Sequence, residues 1–208
     1  MGNTYFCKEL NKELPSVTTI LNIIAKGEGF NNWLKKQGDK ADKLLTDAGD
    51  FGTDIHNFLE AFGKGLPVNL SALKPKQLRC VNAFLEWKEN NVKKFICTEQ
   101  AVFNIDKEYA GTCDGVVELN DGRIALLDYK TSAYIYDTHE LQVCAYIKAY
   151  DVKIDTGFIL RFEKNEEKDK DLQVKEVKQI DYQYEVFLAT LKLWNWKNNK
   201  KKEFEKNG

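Results

Sequence analysis

The sequence predicts a mixed α/β fold, one sheet with helices on both faces, and three observations lead there. Apolar residues recur at helical spacing in the N-terminal half, as at Leu78, Val81, Phe84, Leu85 and Val92, which line one helix face. From Phe95 onward the period changes to that of strands. A helical segment from Thr138 to about Tyr150 then interrupts the strand-like runs, so the runs on either side of it need a crossover connection. The resulting order is helices, three strands, a helix, two strands and a helix. Such an order gives a mixed sheet covered on both faces.

Along the chain, Tyr5-Phe6-Cys7 reads as an edge strand. Ser16, after Pro15, caps a helix over Val17 to Ile24 that Gly27 and Gly29 end. A second short helix carries Trp33 and Leu34. A longer one runs from about Ala41 through Phe62, with Gly52 inside it or at a break, and Gly63-Lys64-Gly65-Leu66-Pro67 stops it. The next helix spans Lys74 to about Asn91. Phe95 to Phe103 is strand-like, Asp106-Lys107-Glu108 is a turn, and a hairpin follows: Gly111 to Glu118, the turn Asn120-Asp121-Gly122, and Ile124 to Thr131. Asp-Gly supports that hairpin because glycine supplies positive φ at no steric cost. The Thr138 helix has Asp137 or Thr138 as its cap. Two further strands, Gly157 to Phe162 and Leu172 to Ile180, flank the charged turn Glu163 to Asp171, which is expected to be solvated and mobile. A last helix precedes a Lys-rich tail. With no repeat and no linker, one domain is expected over residues 1–208: a helical part over 16–94, a sheet core over 95–180 and a C-terminal helix over 181–198.

Composition excludes several classes. Lys plus Arg (31) nearly balance Asp plus Glu (32), so no global field draws the chain to a polyanion and any such site is local. The five cysteines, Cys7, Cys80, Cys97, Cys113 and Cys144, are scattered and form no C-x-x-C pair. That argues against a disulfide framework or a zinc site and for a reducing compartment. The first residues lack a signal-peptide pattern, and no apolar run approaches the ~20 residues of a membrane span, so a cytoplasmic protein without a membrane partner is expected.

The hairpin carries the chemistry. Its register brings Asp114 near Asp128, and Lys130, two residues beyond Asp128, emerges on the same face. Two close carboxylates hold a hard cation such as Mg²⁺, whereas without one they repel and one takes up a proton. Lys130 could orient or deprotonate an attacking water or stabilise charge on a phosphorane-like transition state. Glu99, on the neighbouring strand, either supports the ion or its water or is an exposed strand residue. Two readings also stay open for Lys35, Lys36, Lys40, Lys43, Lys74, Lys76, Arg79 and Lys200 to Lys202, namely phosphate contacts or solvated helix faces. Trp33, Phe51, Phe58 and Phe62 either stack bases or pack a core.

Asp114, followed by Asp128-Tyr129-Lys130, resembles the D…(D/E)-x-K signature of the PD-(D/E)XK nuclease superfamily. Gly52-Thr53-Asp54-Ile55-His56 is similar to the G-x-x-x-H element of its RecB-like exonuclease branch, and Gln142-Val143-Cys144-Ala145-Tyr146 to the Q-x-x-x-Y element. All four stand in the family's order. Pro15 to Leu21 also resembles the N-terminal segment of the mitochondrial genome maintenance exonuclease group.

The resemblance implies a restriction-endonuclease-like core and a metal-dependent DNA exonuclease acting on single strands or DNA ends, the alternatives being a structure- or site-specific endonuclease of the same fold or a non-cleaving module that binds nucleic acid or protein. The service implied is replication, recombination or repair, with a recombination or replication protein as a further partner and a bacterium or phage as the setting. A Mg²⁺ or Mn²⁺ ion would be held by His56, Asp114, Asp128 and the Tyr129 carbonyl, with Lys130 assisting catalysis. Glu60, one turn after His56, would reach it or the ion's water shell. Gln142 would help hold the lysine and the substrate phosphate, with Tyr146 packed beside it. His139 matches no family position and is read as a helix-start residue. Some relatives carry an iron-sulfur cluster whose last three cysteines follow the Q-x-x-x-Y helix; no cysteine follows Cys144, so no cluster is expected. No phosphate-binding G-x-x-x-x-G-K-[ST] loop appears, so neither is ATP use.

Overall fold

The computed structural model describes residues 3–24, 35, 36, 38 and 41–207. Strands β1 (Thr4–Cys7) and β2 (Lys12–Pro15) form an antiparallel two-stranded sheet. The main sheet has five strands in the order β3 (Val92–Asn104), β4 (Tyr109–Leu119), β5 (Ile124–Lys130), β6 (Thr156–Phe162) and β7 (Leu172–Glu176). Neighbours are antiparallel except β5 and β6, which run parallel because α4 (Asp137–Ala149) crosses between them. Helices α1 (Val17–Leu21) and α5 (Ile180–Asn207) join α4 on one face, where Val17, Ile20, Leu126, Val143, Ile159 and Phe187 share a core. Helices α2 (Ala41–Gly63) and α3 (Pro75–Asn91) cover the other face through Ile55, Leu59, Val81, Phe84, Leu127 and Leu160. The expected mixed sheet between helices is therefore the observed architecture.

Residues one apart on a strand divide between these cores, as the pleat requires: Val116 with Val117, and Ile159 with Leu160. Ser16 caps α1 as expected, its Oγ accepting the Thr19 N–H at 3.0 Å. Gly52 lies inside α2, without a break. The helix expected to carry Trp33 lies outside the described residues.

Several boundaries differ from the sequence expectation. Lys12–Pro15, polar and ending in proline, becomes a strand through its pairing with β1, which local pattern does not reveal. Val92 opens β3 instead of closing α3, and β5 ends at Lys130, one residue before Thr131. Strand β7 stops at Glu176, and after Gln179, at φ +54, Ile180 already belongs to α5, which continues to Asn207. Tyr136 precedes α4 in extended conformation, and Asp137 is helical. The His139 Nδ1 accepts the Tyr136 N–H at 3.2 Å, so the first turn is closed from within.

The turn between β6 and β7 is exposed from Lys164 to Lys170, as expected of a solvated turn, but it is also tied to α3. Lys76, 2% exposed, donates to Asp171 Oδ1 at 2.7 Å and to the Lys168 carbonyl at 3.1 Å. Arg79 reaches the Glu166 carbonyl at 3.2 Å and Asp171 at 3.3 Å. Glu163, 3% exposed, accepts from Arg161 at 3.1 Å, Lys168 at 3.0 Å and the Asn165 N–H at 3.0 Å. A turn rich in opposite charges folds back on itself once a buried lysine anchors it.

Candidate active site

Strands β4 and β5 pair Gly115 with Leu127 and Val116 with Leu126, and one further step along that register brings Asp114 alongside Asp128. Leu127 and Tyr129 enter the α2–α3 core, so the alternation turns Asp128 and Lys130 toward α4. The Lys130 Nζ lies 2.8 Å from Asp128 Oδ1 and 2.7 Å from Oδ2. Asp128 is 1% exposed. The Tyr129 N–H donates to Asp114 Oδ2 at 2.5 Å, which fixes the second carboxylate across the hairpin.

These contacts leave negative charge uncompensated. Burial, and next the Asp128 carboxylate, push the Asp114 carboxyl up to about 7, against the pull of Lys130 and the Tyr129 N–H. Burial also raises Asp128, although Lys130 and His56 oppose it. Two carboxylates here share one ammonium.

His56 reaches the cluster from α2, across the sheet. Its Nδ1 lies 3.6 Å from Asp114 Oδ1, and its ring meets Tyr129 edge-on at 5.8 Å. A Cβ at Gly52 would stand 2.8 Å from the Thr131 Oγ1, so glycine lets α2 pass close to the segment leaving Lys130 without displacing that hydroxyl. His56, one turn later, then arrives at the carboxylates. Burial and the Lys130 charge lower its pKa, against Asp128, Glu99 and a backbone hydrogen bond with Tyr129. The imidazole is thus kept in the neutral form that binds metals.

Glu99 joins them, which the strand pattern could suggest but not establish. One donor atom each from His56, Glu99 and Asp114 lies within 4.8 Å of the others. Glu99 takes a left-handed backbone, φ +49, which costs about 1 kcal/mol for a residue with a Cβ. Burial, Asp114 and Glu60 raise its carboxyl. A neutral imidazole nitrogen and two carboxylates with surplus negative charge fit a hard divalent cation such as Mg²⁺ or Mn²⁺.

The remaining expected residues divide. The Gln142 Nε2 donates to the Tyr146 hydroxyl at 3.0 Å, and a Cβ at Gly111 would lie 2.4 Å from the Tyr146 Cε1, so glycine makes room for that ring. Burial, then Asp128, hold the Tyr146 hydroxyl well above its usual range. Among the described residues no hydrogen bond joins Gln142 to Lys130. The Glu60 carboxylate pairs with Lys64, not His56, because the cation one turn on is the stronger partner for an anion. His139 stands at the helix start as expected, and burial and then the charge of Lys130 lower its pKa to about 4.

Of the cations named for phosphate contact, Lys35, Lys36 and Lys74 are exposed, while Lys76 and Arg79 are committed to Asp171. Lys40 and the side chains of Lys43 and Lys200 to Lys202 lie outside the described residues, as does Trp33. Phe58 and Phe62 stack together, Phe62 meets Phe84 and Phe95 edge-on, and Phe51 packs on the same cluster, so these three belong to the core.

No protein-family model and no curated protein matches the sequence. Among solved structures the chain is similar to an alkaline exonuclease, LHK-Exo, from Laribacter hongkongensis, at 11% identity over 91% of this chain and 93% of that one, with a TM-score of 0.40. It is also similar to SSO0001, at 14% identity and a TM-score of 0.35 over 56% of this chain. The chain spans 58% of the length of SSO0001. No helix among the described residues is long and apolar enough to cross a membrane.

Proposed function

We propose that this chain is a single-domain, metal-dependent DNA exonuclease of the PD-(D/E)XK superfamily, in its RecB-like branch. It would act on single strands or DNA ends in replication, recombination or repair within a bacterial or phage-infected cytoplasm. The observation that carries this reading is the convergence of His56, Glu99 and Asp114 donors beside the buried Asp128–Lys130 pair.

His56, Asp114 and Asp128 with the Tyr129 carbonyl would hold Mg²⁺ or Mn²⁺, and Glu99 completes the donor set. The bound ion would supply Lewis-acid polarisation of a phosphodiester oxygen and a lowered pKa for water. Asp128 orients Lys130, whose ammonium stabilises charge developing on the phosphoryl oxygens during in-line attack. Gln142 and Tyr146 back this edge from α4, as the motif order supports. Glu60, paired with Lys64, acts on Glu99 through its charge and has no contact role in this reading.

The test is incubation of end-labelled single-stranded, duplex and circular DNA with Mg²⁺ or Mn²⁺. Shortening from ends, absent on circles and absent with EDTA, supports the reading. Intact substrates with both ions overturn it, and cleaved circles would replace exonuclease by endonuclease.

A further inference from the structure

The segment leaving Lys130 carries two tyrosines that the fold exposes while holding their backbone still. Tyr134 is 68% and Tyr136 46% exposed, with ring centroids 6.3 Å apart and planes at 73°. His139 extends the group, 5.3 Å from the Tyr136 ring at 80°. Beneath them Arg161, 7% exposed, donates to the Ser132 carbonyl at 3.3 Å and the Ala133 carbonyl at 3.2 Å. Its own guanidinium is held by Gln173 at 2.9 Å and Glu163 at 3.1 Å. The Ser132 hydroxyl closes the bend by donating to the Tyr134 carbonyl at 2.6 Å, and Ile135, between the tyrosines, packs on the α4 core. Rings exposed on an anchored backbone lose little freedom when something stacks on them.

We infer that Tyr134 and Tyr136, with His139 at their edge, form a stacking platform for an unpaired nucleobase of the strand entering the site. This rests on the nuclease reading above for its ligand. Tyr134 follows Lys130 by four residues, so the chain between them spans at most roughly 14 Å, a reach of one or two nucleotides from a phosphate at Lys130. His139 belongs to the first turn of α4, and Asp128 and Lys130 alternate with Leu127 and Tyr129 to face that side of the sheet. Exposed rings recognise bases by their faces: every base has a π-face, and stacking tolerates any sequence. A duplex end hides those faces, so the platform favours single strands or frayed ends.

The experiment uses 2-aminopurine at successive positions from the end of a single-stranded oligonucleotide, titrated with the full chain in Ca²⁺. A matching set carries one abasic nucleotide at each position. Quenching is expected at one position or two adjacent ones, lost in Tyr134→Ala/Tyr136→Ala and kept in Tyr134→Phe/Tyr136→Phe. Affinity for the intact strand should fall about tenfold in the alanine variant, and not at all for the strand abasic at that position. Both tyrosines are exposed, so circular dichroism should be unchanged. Equal quenching and affinity in the alanine variant would overturn the platform while leaving the nuclease reading intact. A strand that is bound and quenched but not cleaved with Mg²⁺ or Mn²⁺ would overturn only the nuclease reading. A strand that does not bind overturns the platform, whereas the nuclease reading is decided by the cleavage of strands and duplex ends.

Discussion

Asp114 and Glu163 are both carboxylates taken largely out of water, and their surroundings drive them in opposite directions. Glu163 is pushed up by burial, but the Asn165 N–H, Lys168 and Arg161 outweigh that, and its carboxyl sits below the usual range. Asp114 has the Tyr129 N–H and a share of Lys130, and with Asp128 next to it rises to about 7. One cluster is complete within the chain and locks the β6–β7 turn to α3. The other is short of positive charge and lies beside a neutral histidine. The proposed function assigns a cation to the cluster that lacks compensation and a scaffolding role to the one that is complete.

The largest effect expected is on catalysis. Asp128→Ala or Lys130→Ala should lower cleavage of end-labelled DNA by about a thousandfold with the fold retained, since Lys130 would stabilise the phosphoryl oxygens and Asp128 would hold the ion and orient Lys130. Lys76→Ala should act the other way round. It strips the buried anchor from Asp171 and should destabilise the chain by about 3 kcal/mol in urea unfolding, with specific cleavage by the folded fraction unchanged. A loss of specific activity in Lys76→Ala would erase the distinction between the clusters. Glu99→Gln should weaken Mn²⁺ binding by about tenfold to a hundredfold in calorimetry, comparable to losing a polar partner of a metal site.

Smaller, but of opposite sign for the two clusters, is the pH dependence of the metal-free chain. Asp114 titrates higher folded than the ordinary 3.8, so the folded chain keeps a proton the unfolded chain has released, and stability falls as pH rises from about 4 to about 7. Glu163 titrates below its ordinary 4.5, so its contribution is present above that pH and is lost as pH falls through the folded value. Thermal unfolding across pH should show the first slope flattened in Asp114→Asn and the second in Glu163→Gln. Identical profiles for the two variants would contradict the contrast.

How far the sequence carried this picture depended on the range of each interaction. The hairpin was legible because Asn120-Asp121-Gly122 and the alternation around Asp128 are local, and period alone sends Asp128 and Lys130 to one face. Gly52 and His56 were legible as a spaced pair, although the reason for the glycine, contact with Thr131, is tertiary. The partner of Glu60 is not legible in the sequence, because His56 and Lys64 both stand one turn away and only the fold shows the pairing with Lys64. The exposure of Lys164 to Lys170 is legible in their charge, whereas the anchor is not, because Lys76 and Asp171 are far apart in sequence. Neither the left-handed backbone of Glu99 nor the exposure of Tyr134 leaves a periodic trace.

The central claim is that the charge missing at Asp114 and Asp128 is supplied by a divalent cation. Calorimetric titration of the full chain with Mn²⁺ near pH 7, in buffers of different ionisation enthalpy, tests it most directly, because an Asp114 carboxyl held near that pH must give up its proton as the ion binds. The expected result is one or two bound ions with net proton release, abolished in Asp114→Asn and weakened in His56→Ala. Absence of binding, or binding with the same proton release in Asp114→Asn, would contradict the account.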